Sequence, residues 1–156
     1  MCTNENLRQP DSVIPNAFAP VDLLEWTAEH SVGIAVIDQH HQRLFHLVNA
    51  LHSALLVQQG QNRMASLLTE LIQCTQSHFT SEEVMMEAFG YPETEPHRIE
   101  HERMLRTVQA FQEQFFRGEA EITVQLMEFF KTWLHSHLLE CDRKYMQFFA
   151  DHGSRR

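Results

Sequence analysis

Cysteine is scarce in this chain. Cys2, Cys74 and Cys141 are an odd set with no C-x-x-C spacing. They form no disulfide framework and suit free thiols in a reducing compartment. Basic charge is also short, with 12 Lys and Arg against 21 Asp and Glu and a net charge of −9. That balance argues against nucleic acid and anionic membrane as partners. No apolar run approaches the ~20 residues of a membrane span, and the N-terminus lacks a basic-then-apolar signal pattern. Alternating strand patterns, internal repeats and low-complexity tracts are missing too. We therefore expect one soluble, cytoplasmic domain and a monomer. At 156 residues it can bury roughly 70% of its unfolded surface without covalent staples.

Histidine is the opposite case, with eleven in the chain. Their placement on helical stripes decides what they mean. Residues 1–25 carry Pro10, Pro15 and Pro20 among polar residues, which resists helix and predicts an extended arm. Phe18, Leu23 and Leu24 give it apolar contacts, and Trp26 anchors it over one end of the core. Val32, Gly33 and Ile34 lead into a first helix. That helix is expected from Asp38, acting as its cap, to about Gln59, with Gly60 ending it. Its inward stripe is His41, Leu44, Val48, Leu51 and Leu55. A second helix from about Asn62 to Phe89 turns inward Met64, Leu67, Leu71, Cys74, His78, Glu82, Met85 and Phe89. Cys74 reads there as a small buried hydrophobe.

A third helix starts near Thr94, with Pro96 tolerated in its first turn, and stops at Gly118. Its stripe holds His97, His101, Met104 or Leu105, Val108, Phe111 and Phe115. The fourth runs from Glu119 or Ala120 to Ala150, with Ile122, Leu126, Phe130, Trp133, His137, Cys141 and Phe148 inward. Four long helices with short joins predict an all-α, up-down-up-down four-helix bundle over residues 26–152.

The inward polar residues are His41, His78, Glu82, His97, His101, His137 and Asp142. Burying seven polar groups without strong partners costs about 1–3 kcal/mol each, comparable in sum with a domain's whole stability. Metal coordination offsets that cost. Five imidazoles and two carboxylates exceed the needs of one ion. With two octahedral metals, terminal imidazoles, two bridging carboxylates and one bridging oxide or hydroxide fill all positions but one. An open position is what reversible capture of a small ligand requires. Mixed nitrogen and oxygen donors without thiolate suit iron or manganese better than structural zinc. His137 and Asp142 are five residues apart, so a regular helix would splay them by about 140°. Both reach one centre if the backbone widens into a π-type turn near 138–142.

These stretches resemble the hemerythrin family, in its single-domain bacterial form. The matching residues are Val32-Gly33-Ile34, Ile37-Asp38-Gln39-His40-His41, His78-Phe79-Thr80-Ser81-Glu82-Glu83, Tyr91-Pro92 with His97 and His101, and Trp133-Leu134-His135-Ser136-His137 with Asp142. The ordered set, with intervals of 37, 4, 15, 4, 36 and 5 residues, is far more specific than any one pair. The family pattern selects His41 over His40, Glu82 over Glu83 and His137 over His135. It leaves Glu83 as an outer-layer or surface group, and His30, His46, His52, His135 and His152 as non-ligands. It gives Lys144 and Tyr145 no role.

The resemblance implies two iron ions joined by an oxide or hydroxide. One iron takes His97, His101 and His137. The other takes His41 and His78 and keeps the open position, while Glu82 and Asp142 bridge. It further implies reversible binding of dioxygen, with storage or delivery to an oxygen-requiring enzyme as the role. Leu134 matches the family's apolar residue over the ligand pocket. Oxygen or redox sensing is a second reading, although such sensors usually need a fused signalling domain. A peroxidase-like di-iron enzyme is a third. Against it, the Glu-x-x-His pair of ferritin-like di-iron proteins is missing.

Overall fold

The structure is a computed structural model that describes residues 21–153. Most of the expected arm, residues 1–20 with Phe18 and Cys2, lies outside the described residues. From Val21 the chain runs without regular structure, bending at Leu23 and Leu24, to a 3-10 turn at Ala28–His30. Asn49 clamps this stretch: its Oδ1 accepts from the Leu24 N–H at 2.9 Å and its Nδ2 donates to the Leu24 carbonyl at 2.8 Å. Leu24 is thereby held in the core. Trp26 packs its ring edge-on against Phe45, with centroids 5.4 Å apart.

Four helical rods follow. Helix α1 spans Ala35–Leu56, α2 Gln61–Phe89 and α3 Thr94–Phe116. The fourth rod is composite: α4 at Val124–Ser136, a π segment at His137–Asp142, then α5 at Arg143–Gly153. Helix α1 packs on α2 and α4, and α2 packs on α3, in the up-down-up-down order that short joins impose. No helix is long and apolar enough to cross a membrane among the described residues.

Several helix ends differ from expectation. Asp38 is not a cap, because α1 begins three residues earlier. Its carboxylate instead folds back on the entering loop, accepting from Ser31 Oγ at 2.5 Å and the Val32 N–H at 2.8 Å. Helix α1 stops at Leu56, with Gln58 in a left-handed conformation at φ 52. Gly60, not Asn62, precedes the first turn of α2. Gly90 closes α2 at φ 66, a conformation where glycine avoids a Cβ clash. The fourth rod begins at Val124 because Thr123 Oγ1 accepts from the Leu126 N–H at 3.2 Å, a true side-chain cap. Ile122 is nonetheless buried just before it.

The π segment shifts the later register. Cys141 and Phe148 are only half-buried, while Asp142, Tyr145 and Phe149 turn inward. One extra residue in the turn rotates everything after it by about 100° relative to a regular helix. On α2, Met86 rather than Met85 is buried, and Phe89 is 46% exposed.

The core falls into two apolar layers. The larger includes Leu44, Val48, Leu51, Leu68, Val108 and Met127. The smaller joins Met86, Tyr91, Tyr145 and Phe149 at the other end. Each fully buried side chain of this kind contributes roughly 1.5–3 kcal/mol. A polar layer lies between them. Along α2, for instance, Phe79 belongs to the first layer, Met86 to the second, and Glu82 falls in the gap.

Candidate metal centre

All seven expected polar residues meet in that gap. His41 comes from α1, His78 and Glu82 from α2, His97 and His101 from α3, and His137 and Asp142 from the π segment. Each is buried, and Glu82 and Asp142 are wholly removed from solvent. The i, i+4 spacing of His78 with Glu82, and of His97 with His101, puts each pair on one helix face. The π turn does the same for His137 and Asp142 at five residues, as expected from their spacing. The observed widening covers 137–142.

Their ligand atoms form two sets. The first gathers His41, His78, Glu82 and Asp142, and the second His97, His101, His137 and the same two carboxylates. Each carboxylate divides its oxygens between the sets. Asp142 Oδ2 lies 3.1 Å from His41 Nε2, while its Oδ1 lies 3.2 Å from His97 Nε2 and 3.0 Å from His137 Nε2. Glu82 Oε1 is 3.5 Å from His78 Nε2, and its Oε2 is 3.3 Å from His101 Nε2. Within each set, imidazole nitrogens approach closely: 3.0 Å for His41 and His78, 3.1 Å for His101 and His137. Adjacent donors on one octahedral ion, at bonds of ~2.1 Å, sit about 3 Å apart.

Several of the donor atoms also lack a partner among the described residues. His97 Nε2, Glu82 Oε2 and both Asp142 oxygens are buried without hydrogen bonds. Such orphans are costly in a native interior, and one cation in each set would satisfy all of them. The chain therefore fits two bridged metal ions.

Without metal, protons do part of that work. Burial pulls His41 and His97 down, but the Asp142 and Glu82 carboxylates outweigh it and carry each up to about 9. Burial likewise opposes the charge of His137, yet Asp142 drives it up to about 10. His78 goes the other way, lowered by burial to about 4. Burial disfavours both carboxylate charges, but the surrounding imidazoles hold Glu82 and Asp142 well below the usual range.

The surrounding layer contains residues that spacing alone did not assign. Tyr145 is fully buried and its hydroxyl donates to Glu82 Oε1. It sits one turn beyond Asp142 on the same face, the one clue available in the sequence. Phe79 stacks flat on His101 at 3.7 Å, and Trp133 stacks on His137 at 4.6 Å. Glu83 accepts from His101 Nδ1 at 2.9 Å. Leu134 is buried and lines an apolar cavity of about 30 Å³ with Leu44, Val48, Met104 and Trp133, among others. None of the seven polar residues lines that cavity.

The other described histidines stand outside both sets. His30 is buried, but its Nδ1 accepts from the Thr27 N–H at 3.0 Å. His40 is half-buried, with its ring 5.7 Å from that of His78. His46, His135 and His152 are exposed, and His52 is half-buried. Cys74 and Cys141 are free thiols, half-buried.

Fold and site together define a four-helix bundle built around a buried, imidazole-rich cluster whose two ligand sets share two carboxylates. Comparison with known proteins agrees. Residues 32–149 match the model of the hemerythrin HHE cation binding domain, and the chain belongs to the hemerythrin family. It is 34% identical over 123 residues to a bacteriohemerythrin of Stenotrophomonas maltophilia, covering 79% of each chain. A bacteriohemerythrin of Methylococcus capsulatus is 31% identical over 124 residues, which cover 79% of this chain and 94% of that one. Among solved structures, a wild-type hemerythrin superposes with a TM-score of 0.76 at 30% identity, over 80% of this chain and 96% of the other.

Proposed function

We propose that this chain binds dioxygen reversibly at a non-haem di-iron centre, as a store or as a supply for an oxygen-requiring enzyme. His97, His101 and His137 would hold one iron, His41 and His78 the other, with Glu82, Asp142 and an oxide or hydroxide as bridges. The observation that carries this is the unequal split, three imidazoles against two, around shared carboxylates. It leaves one position free, on the His41 and His78 side. Such a centre supplies reversible two-electron exchange with dioxygen when iron is bound.

The protein's own part is positioning and exclusion. The stacked rings of Phe79 and Trp133 fix the planes of His101 and His137. Tyr145 holds one oxygen of Glu82, and burial of all seven polar side chains keeps bulk water out. Water exclusion suppresses side reactions, and Leu134 would contribute to the dry side. The net charge of −9 supports a role away from nucleic acid.

The test is anaerobic loading with ferrous iron, metal analysis, and visible spectra before air, after air and after deoxygenation. Two irons per chain and a band that appears and disappears are expected. His78→Ala and Glu82→Ala should abolish the band. A normal reversible band in either variant would sink the assignment.

A further inference from the structure

Of the five imidazoles in the site, His101 alone carries a carboxylate on its outward nitrogen among the described residues. Its Nε2 faces the site, 3.3 Å from Glu82 Oε2. The ring hydrogen then sits on Nδ1 and is donated to Glu83 Oε1 at 2.9 Å. By contrast, Nδ1 of His41 and of His78 is buried with no partner among the described residues. Glu83 is itself held from outside. Arg98, one residue after His97 on α3, places its Nε 3.4 Å from Glu83 Oε2. The same guanidinium pairs with Glu87 and, at 3.1 Å, with Glu95. A chain of contacts thus runs from the surface cation through a carboxylate to one buried imidazole. The ring face is locked as well, because Phe79 lies on it at 3.7 Å, tilted by only 4°.

A carboxylate on the outer nitrogen fixes the tautomer and makes imidazole a stronger donor to metal. We propose that Glu83, its charge moderated by Arg98, is a positioning and tuning residue that makes the His97, His101 and His137 position the tighter of the two cation sites. This rests on the two-metal reading above. Two consequences follow. Metal loads first, and leaves last, at the three-imidazole position. The strength of the outer hydrogen bond sets that difference, since the His41 and His78 position has no equivalent support among the described residues.

The probe is ferrous iron alone, titrated anaerobically into metal-free protein and followed by native mass spectrometry, which counts chains with no, one and two ions. The wild-type chain should populate a one-metal form near one equivalent. Glu83→Gln keeps the side-chain shape and removes the charge. It should weaken the tighter step by about 10–100-fold, the range for loss of such an outer partner, and move the weaker step far less. Glu87→Gln is the control: it also pairs with Arg98 but does not touch His101, so both steps should stay within about twofold of wild type. Arg98→Met is a second, independent variant. Removing the competing cation leaves more negative charge for His101, so the midpoint potential of the loaded protein should fall, whereas in Glu83→Gln it should rise.

Equal weakening of both steps in Glu83→Gln, no weakening, or matching losses in Glu87→Gln would overturn the proposal. Potentials that move the same way in Glu83→Gln and Arg98→Met would overturn it too. A wild-type chain that takes up only one iron refutes the two-metal reading itself, and this proposal with it. Two irons with unchanged affinities in Glu83→Gln refute the role of Glu83 alone.

Discussion

Tyr145→Phe isolates one hydroxyl at the most buried point of the site. The ring of Tyr145 is wholly buried and packs 5.3 Å from Phe149, 5.6 Å from His97 and 6.4 Å from Tyr91, measured between centroids. Phenylalanine preserves all of that packing. Burial and the neighbouring Glu82 and Asp142 charges push the phenol far above its ordinary value, so the hydroxyl remains a donor at any working pH. Its loss leaves Glu82 Oε1 with only His78 Nε2 at 3.5 Å and His41 Nε2 at 3.8 Å, too far for good hydrogen bonds. An unsatisfied buried acceptor costs about 1–3 kcal/mol, more when it is charged, so about 2–3 kcal/mol is expected for metal-free protein. At about 3 °C per kcal/mol for a domain of this size, Tm should fall by roughly 6–9 °C. Bound metal would take over the lone pairs of Oε1, so the iron-loaded form should lose markedly less. Calorimetry of both forms, kept anaerobic, reads the difference. Equal losses with and without iron, or no loss in the metal-free protein, would refute the reasoning.

Three further outcomes are expected. Leu134→Ala should cost about 2–5 kcal/mol, as for other buried leucines, measured by denaturant unfolding, while iron binding persists and autoxidation speeds up; an unchanged autoxidation rate would remove Leu134 from the oxygen path. Metal-free protein should lose stability as pH rises from about 6.5 to 10, because His41, His97 and His137 are protonated up to about 9, 9 and 10 when folded but near 6.5 when unfolded. Their stabilisation is complete below 6.5 and is lost as pH climbs through the folded values, whereas iron competes with those protons and should bind more tightly over the same window; thermal scans across pH with and without iron test both signs. Asn49→Ala removes both hydrogen bonds to Leu24 and should cost about 1–3 kcal/mol, with hydrogen exchange accelerating at residues 21–27; unchanged exchange there would show that the clamp is dispensable.

The sequence by itself determined the helices and which polar residues share an inward face. That information is local, because residues three or four apart share a helix face wherever the helix packs. It extended to the π turn, since a five-residue gap between His137 and Asp142 reaches one centre only in a widened helix. Helix ends were less legible. Asp38 looks like a cap but bonds to the loop before it, and that choice depends on where Ser31 and Val32 fold. Beyond the π turn the register was lost as well: Cys141 and Phe148 were expected inward, yet Tyr145 and Phe149 occupy the core, because one added residue rotates all that follow.

Only the tertiary structure decided what the supporting residues do. Glu83 follows Glu82 and lies about 100° around the helix from it. Whether it meets solvent or His101 depends on how α3 packs beside α2. The same holds for the Tyr145 hydroxyl on Glu82, the stacking of Phe79 on His101, and the division of each carboxylate's two oxygens between the imidazole sets. Each is a contact between rods, fixed by interhelical distance and rotation that no spacing along one chain encodes.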